Sequence, residues 1–225
     1  MKNALSRPVW LLGAAMLALL VVPTLAHAQD EQFLGDVWEV TITNLTKGQV
    51  ISPPIAYSHG GNFQLFTPGE PAIPELAGVA EDAMNEPLIA YLQTQPKVLD
   101  VTVAAGPLMP GHTTHLYVTA RGAARRITAL GMLVTTNDAF FAAEGRAIGF
   151  GETEYAIAWD AGSEENNESC DYVPGPPCGN IGVRATDNAE GYVYVHAGIH
   201  GGSDLDPSMH DWRTPVAKVT LRRAH

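Results

Sequence analysis

The feature that most constrains the fold is a short pattern of alternating apolar and polar side chains that recurs along the chain. Within residues 37–43, Trp38, Val40 and Ile42 fall on one face of a strand, and the residues between them are polar. The same period recurs in residues 98–103, 114–119, 127–134, 155–159, 192–196 and 216–221. Seven strands separated by Gly, Pro and Asn clusters predict an all-β sandwich or barrel.

Two segments depart from this strand pattern and have apolar residues at helical spacing. They are residues 74–83 and 86–92, and Pro74 and Pro87 suit the first turns of two short helices. We expect both helices to pack against the sheet. Residues 49–74 are rich in Pro, Gly and Ser and predict a long surface loop after the first strand.

The N-terminal segment has the features of a secretory signal peptide. Lys2 and Arg7 precede an apolar run from Val9 to Leu25, and small residues at positions 26–28 follow. We expect cleavage after Ala28 and a secreted or periplasmic location; a retained membrane anchor is the alternative. Cleavage leaves 197 of the 225 residues, a length typical of one all-β domain.

The charge of the chain narrows the choice of partners. It has 13 basic and 24 acidic residues, and two basic ones lie in the signal segment, so the mature net charge is −13. Such a surface repels phosphate backbones and argues against nucleic acid as a partner. It suits a protein that collects divalent cations, although solubility alone explains it equally well. No later stretch reaches the roughly 18 apolar residues of a membrane span.

The only two cysteines, Cys170 and Cys178, bracket a seven-residue segment. In an exported chain this spacing predicts a disulfide, which we expect to shape the tip of a hairpin. A two-cysteine metal site is the alternative.

Two aspartates occupy positions where predicted strands give way to loops. Asp138 follows the strand at 127–134, and Asp160 follows the strand at 155–159. If these strands are neighbours, the two carboxylates converge on one cation, and loop carbonyls and water complete the 6–8 oxygen ligands that calcium prefers. Aspartates that only form turns are the alternative.

A dense cluster of three histidines and three aspartates lies between His196 and Asp211. The spacing of His196 and His200 suits zinc only on a helix, and the glycines around it oppose one. We interpret the segment as a hydrogen-bonded crossing loop anchored by Trp212; a metal-dependent hydrolase centred on His196, His200 and His210 is the alternative. Because no nucleophile elbow or phosphate-binding glycine loop is present, we predict that the protein is not an enzyme.

Three of these features together resemble the spondin N-terminal domain family. They are the Asp138 loop, the run Asp160-Ala161-Gly162 after a Tyr/Ile/Trp strand, and the closing strand Pro-Val-Ala-Lys-Val-Thr-Leu at 215–221. The resemblance extends over residues 33–223. It implies an antiparallel β-sandwich with one divalent-cation site, and a binding or adhesion function toward a cell-surface, matrix or envelope component, protein or glycan.

By position, the resemblance implies that Asp138 and Asp160 are metal ligands, with calcium as the cofactor. The family's third acidic ligand falls near Tyr117, where this chain has no carboxylate. His115 shares the strand face of Tyr117, and Glu164 and Glu165 are the nearest acidic substitutes along the Asp160 loop. A metal-free structural envelope protein is a further alternative.

Overall fold

The computed structural model describes residues 36–147 and 152–224, and the predicted signal peptide lies outside these residues. In sequence order this part of the chain contains β1 (Val37–Asn44), β2 (Ile55–His59), α1 (Pro74–Asp82), α2 (Asn85–Thr94), β3 (Val98–Val103), β4 (Thr113–Thr119), β5 (Arg126–Met132), β6 (Ala139–Ala147), β7 (Glu152–Ala156), β8 (Ala158–Asp160), β9 (Tyr194–Val195), α3 (Pro207–His210) and β10 (Ala217–Arg223).

The strands form two antiparallel sheets, which confirms the predicted all-β sandwich. The four-stranded sheet has the order β4-β1-β10-β7, and the six-stranded sheet has the order β3-β2-β5-β6-β8-β9. The first and last strands of the described chain are neighbours, since Val40 pairs with Leu221. The closing strand therefore ties the C-terminal part of the chain to its start.

One apolar core lies between the two sheets. Val40 and Ile42 of β1 and Val219 of β10 face Ala129 of β5 and Phe141 of β6, and all are buried. The polar residues of β1 alternate with these buried ones and are half-exposed. This is the two-residue period from which the sandwich was predicted.

A second core lies on the other face of the six-stranded sheet. Helices α1 and α2 cover this face, and Leu76 and Leu88 pack with Ile55, Leu130 and Phe140. The predicted pair of short helices packed against the sheet is thereby confirmed. The six-stranded sheet is consequently buried on both faces over much of its area.

Burial on both faces explains two strands that the sequence pattern did not predict. Strand β2 lies inside the segment that we predicted to be a loop, and all five of its residues are buried. Strand β6 begins with Ala139-Phe140-Phe141-Ala142-Ala143, which is apolar at every position. A strand between two cores has no polar face, so neither segment alternates.

Two predicted strands have different boundaries in the structure. Residues 155–159 do not form one strand, because β7 pairs with β10 in one sheet and β8 pairs with β6 in the other. The chain changes sheets at Ile157. The strand predicted at 192–196 is reduced to Tyr194–Val195.

The predicted disulfide between Cys170 and Cys178 is present, with 4.7 Å between the two Cα atoms. It does not shape a hairpin tip, because residues 161–193 form one long connection without strands between β8 and β9. Val173, inside the disulfide loop, is fully buried in the core between the sheets. The bridge therefore closes a loop that is anchored to the sandwich.

No helix in the described residues is long and apolar enough to cross a membrane.

Candidate functional site

The structure brings Asp138 and Asp160 together at one end of the six-stranded sheet. Ala139, the first residue of β6, pairs with Asp160 at the end of β8, and Asp138 directly precedes Ala139. The backbone N–H of Ala161 donates to the carbonyl of Asp138. Both aspartate side chains are fully buried. Asp138 and Asp160 therefore lie close together, but not by the predicted route: β5 and β8 are not neighbours, because β6, which starts directly after Asp138, lies between them.

The carboxylate of Asp138 has one saturated oxygen and one oxygen without a hydrogen bond. Its Oδ2 accepts hydrogen bonds from the backbone N–H of Ser163 at 2.8 Å, the Ser163 hydroxyl at 3.2 Å and the backbone N–H of Glu164 at 3.0 Å. Its Oδ1 is buried and has no hydrogen-bond partner. An unpaired buried oxygen costs free energy, and a bound cation or proton would offset that cost.

The carboxylate of Asp160 lies in a hydrogen-bond network centred on Asn166. Oδ1 accepts from the Gly162 N–H at 2.7 Å, and Oδ2 accepts from the Asn166 amide at 2.6 Å. The same amide lies 2.8 Å from the Tyr194 hydroxyl, and its oxygen lies 3.0 Å from Nε2 of His196. Asp160 is therefore fixed in position by donors to both of its carboxylate oxygens.

Burial makes ionisation of this region unfavourable. It raises the pKa of Asp138 well above its usual range, and the adjacent charge of Asp160 raises it further. Burial also raises the pKa of Asp160 to about 6, with a smaller contribution from Glu190. Hydrogen bonds from Gly162 and Asn166 oppose that rise because they stabilise the carboxylate form.

Two further buried carboxyl groups extend the acidic region, and we call Asp138, Asp160, Glu164 and Glu81 the acidic cluster. Burial raises the pKa of Glu164 to about 7, and the charge of Glu81 adds to this rise. Oε2 of Glu164 is buried without a hydrogen bond. Glu81, from α1, is in an ion pair with Arg184, whose second amino group lies 3.0 Å from Asp82. Arg184 compensates the α1 end of the cluster, while Asp138 lies at the other end.

The turn after β8 depends on a glycine. Gly162 has φ of +66°, and a Cβ there would lie 2.2 Å from the carbonyl oxygen of Tyr192. The Gly162 carbonyl also accepts a hydrogen bond from the N–H of Gly191 at 2.8 Å. The run Asp160-Ala161-Gly162 thus lets the two ends of the 161–193 connection approach closely and directs backbone N–H groups toward both aspartates.

The histidines of the 196–211 segment occupy different environments. His196 is buried; its Nδ1 accepts from the Gly198 N–H at 3.0 Å, so its proton is assigned to Nε2, which faces Asn166. Burial lowers the pKa of His196 to about 4. The His200 side chain is 68% exposed and lies 3.5 Å from Glu168. Both ring nitrogens of His196 are therefore engaged within the protein.

The rest of this segment is a crossing loop held by backbone hydrogen bonds. The Glu168 carboxylate accepts from three consecutive backbone N–H groups, at residues 200–202, over 2.5–2.9 Å. Asp211 accepts from the Ile199 N–H, and Asp206 caps the short helix α3 at Ser208. The crossing loop therefore contains a short capped helix. Trp212 is buried and its ring lies 5.1 Å from that of His196.

The strand residues considered as replacements for the third ligand lie elsewhere. Tyr117 belongs to β4 of the four-stranded sheet, pairs with Glu39 and is 54% exposed. His115 lies on the same strand and is 2.8 Å from the Glu39 carboxylate. Neither residue therefore lies beside Asp138 and Asp160. Of the two substitutes named on the Asp160 loop, Glu164 touches Asp138 through its backbone N–H, whereas Glu165 accepts a hydrogen bond from Asn188.

Sequence reasoning missed Asn166, Glu168 and Glu81 as parts of this end of the molecule. Asn166 and Glu168 lie in an irregular connection, where no periodicity indicates which side chains turn inward. Glu81 lies on the buried side of α1, where an acidic residue breaks the apolar pattern. That break is the one sequence signal that points to it.

No group of three or more His, Cys, Asp or Glu side chains within residues 36–147 and 152–224 is arranged to hold a metal ion. Searches for similar proteins give no further guidance: no protein-family model matches the chain, and no curated protein matches it significantly.

Proposed function

We propose that this protein is an exported, non-enzymatic binding module of the spondin type, in which Asp138 and Asp160 hold a calcium ion. Its partner is a component of a cell surface, matrix or envelope, either protein or glycan. The single observation that carries the proposal is the fully buried Oδ1 of Asp138, which lacks a hydrogen bond beside the second buried carboxylate of Asp160.

The donor set fits a hard cation. Oxygen ligands are available from Oδ1 of Asp138 and from Asp160, whose two carboxylate oxygens each accept one close hydrogen bond. Each carboxylate oxygen has two lone pairs, so Asp160 retains capacity for a metal. Calcium accepts backbone carbonyls and water for its remaining positions. The ion would supply positive charge where two carboxylates otherwise repel each other.

Burial changes the role that this cation would have. The sequence places both aspartates where strands meet loops, but in the structure both carboxyl side chains are fully buried and cannot contact an external ligand directly. We therefore propose that calcium orders the loop at 161–166, whose backbone N–H groups bind the same two aspartates. Partner binding would then occur on the surface that this loop carries.

The contacts of the histidines favour a binding module over a hydrolase. A zinc hydrolase requires neutral imidazoles with a free nitrogen directed at the metal. Nδ1 and Nε2 of His196 both have hydrogen-bond partners, and His200 extends into solvent beside Glu168. These contacts support a structural role for the segment.

Calcium content and thermal unfolding test the proposal. The purified protein is depleted of metal with a chelator, and its unfolding temperature is measured at about pH 8 with and without millimolar calcium. We expect calcium to raise this temperature, and elemental analysis to find one ion per chain. Asp138→Asn and Asp160→Asn should both abolish the rise.

Asp171→Asn is the matched control, because Asp171 is an exposed aspartate on the disulfide loop, away from the acidic cluster. It should retain the full calcium response. If calcium leaves the unfolding temperature of the unmodified protein unchanged, the cation site is wrong. Calcium-dependent co-sedimentation with isolated cell envelopes tests the binding function separately.

A further inference from the structure

A cleft of about 420 Å³ lies on the six-stranded sheet, far from the acidic cluster. Its floor is formed by three adjacent strands, with Tyr57 and His59 from β2, Thr128 from β5 and Glu144 from β6. Residues 61–65 form one wall. Strand β6 starts beside Asp138 and reaches the cleft six residues later, roughly 20 Å away at the rise of a strand. The cleft is thus at the opposite end of the same sheet.

The floor of the cleft is held by a chain of buried hydrogen bonds. Nδ1 of His59 lies 2.8 Å from the Gly60 carbonyl, so it carries the ring proton, and Nε2 accepts from the Thr128 hydroxyl at 3.0 Å. The Thr128 oxygen in turn accepts from the Gly145 N–H at 2.7 Å. Burial lowers the pKa of His59, consistent with a neutral ring. Such a floor is formed before any ligand arrives.

A β-bulge directs charged groups into the cleft. The pairing of β5 with β6 shifts register between Ile127 and Ala129, and Gly145 in β6 has φ of +54°. Bulges of this kind bend a strand and redirect its side chains. Here the bulge falls at Glu144 and Gly145, and the exposed side chains of Glu144 and of Arg126 from β5 both line the cleft.

Arg126 and Glu144 have opposite charges but form no ion pair with each other. Arg126 uses one amino group to donate to the Gly145 carbonyl at 2.6 Å, and its side chain lines the cleft. Partial burial and then the charge of Glu154 raise the pKa of Glu144. The cleft therefore presents a guanidinium and a carboxylate from two adjacent strands.

We propose that this cleft binds a free α-amino acid as its zwitterion, with the carboxylate on Arg126 and the ammonium group on Glu144. Guanidinium binds carboxylate in a two-donor geometry, and a ligand with both charges complements both protein groups at once. The ring of Phe63, which lies 6.0 Å from that of Tyr57, forms an apolar wall for the ligand side chain. The volume accommodates an amino acid with a large side chain.

Calorimetry with four probes tests this assignment. They are L-phenylalanine, N-acetyl-L-phenylalanine, which lacks the ammonium charge, L-phenylalaninamide, which lacks the carboxylate, and glucose as a neutral polyol. We expect phenylalanine to bind, and each single-charge analogue to bind at least about tenfold more weakly. Glucose should not bind.

Two variants give a crossed pattern that a purely structural role would not produce. Arg126→Gln should weaken the binding of phenylalanine and of its N-acetyl derivative by about tenfold and leave binding of the amide unchanged. Glu144→Gln should weaken the binding of phenylalanine and of the amide by about tenfold and leave binding of the N-acetyl derivative unchanged. Arg125→Gln is the matched control, because Arg125 is the adjacent exposed arginine and does not line the cleft. Arg126→Lys retains the charge and should retain part of the affinity if the bulge stays folded.

The proposal is overturned if none of the amino-acid probes binds at millimolar concentration. It is also overturned if glucose binds while they do not, since the cleft would then be a polyol site. Equal weakening of all probes by both variants would show a loss of cleft structure and would contradict the assigned charge contacts. These outcomes are independent of calcium binding at the acidic cluster.

Discussion

The two ends of the six-stranded sheet differ in whether their charged side chains are buried or exposed to solvent. At the acidic cluster, Asp138 and Asp160 are fully buried beneath the 161–193 connection, and backbone N–H groups surround them. At the cleft, Arg126 and Glu144 remain exposed because α1 and α2 cover only the other part of this face. Both ends derive from the same three-layer packing.

The layer that packs over a strand end determines whether the charged side chains there are desolvated or accessible to a ligand. A covered carboxylate must have a proton, a cation or several donors, because water cannot solvate it. An uncovered pair of charges is solvated and free to exchange water for a ligand. We therefore expect substitutions at the acidic end to have the larger effects on stability, and the cleft end to admit a small ligand directly.

The largest effect should come from Gly162→Ala, which disrupts only the end of the sheet that carries the acidic cluster. The added Cβ would lie 2.2 Å from the Tyr192 carbonyl oxygen, and φ of +66° is unfavourable for alanine. We expect a loss of at least about 4 kcal/mol in the free energy of unfolding, measured by denaturant titration. Gly179→Ala is the control: φ is +86° there, but the space is open, and a loss of about 1 kcal/mol is expected.

The pH dependence of metal-free protein should be the next largest effect. Burial raises the pKa of Asp160 to about 6 and that of Glu164 to about 7, above the values of an unfolded chain. The stabilisation is therefore complete below about pH 4 and is lost as pH rises through these folded-state values. We expect the free energy of unfolding to fall by on the order of 3 kcal/mol between about pH 5 and about pH 8.

Calcium should reverse that fall, because the ion replaces the protons. Asp160→Asn should make the free energy of unfolding less dependent on pH. Unfolding curves at several pH values with a chelator present provide the measurement. Stability that rises steadily over this range in metal-free protein would contradict the assigned burial effect.

Glu168→Gln should have a smaller effect at the closed end. The Glu168 carboxylate accepts from three backbone N–H groups at residues 200–202, and an amide loses the charge and one acceptor oxygen. We expect a loss of about 2 kcal/mol in the free energy of unfolding and faster amide exchange at residues 200–202. Glu165→Gln, at a half-buried neighbour, should be within about 0.5 kcal/mol of the unmodified protein.

Thr128→Val should be the mildest change, although it removes the central hydroxyl of the cleft floor. It leaves Nε2 of His59 and the N–H of Gly145 without their partner. Because the adjacent cleft admits water, we expect a loss of only about 1 kcal/mol in the free energy of unfolding, measured by thermal unfolding. A loss equal to that of Glu168→Gln would show that the cleft end is as closed as the acidic end. Thr113→Val, at an exposed pair with Thr43, is the control.

Sequence alone predicted most elements that have one solvent-exposed face, and it also predicted β5, which is buried on both faces. Strand β1 and the closing strand β10 alternate and were located closely, as were helices α1 and α2. Strands β2 and β6 were not found, because burial on both faces removes the alternation. The division of residues 152–160 between two sheets was also not predictable, since the local pattern is the same in either sheet.

For the site, the sequence located Asp138 and Asp160 because both lie where strands meet loops, and it located the disulfide by spacing. It did not indicate that both aspartates are buried, nor that Asn166 joins Asp160 to His196. The cleft was not anticipated at all. Its residues come from three separate strands and a loop that were assigned no common location.

By itself, the sequence determined the composition and period of the chain: an acidic, mostly strand-forming protein with two cysteines close enough to bond. These properties depend on side chains near one another along the chain. Only the tertiary structure decided which strand ends are covered and which are open, because coverage depends on the layer that α1, α2 and the long connection form over the sheet. Solvent access, and with it the chemistry of Asp138 and Glu144, is consequently a property of the packed layers.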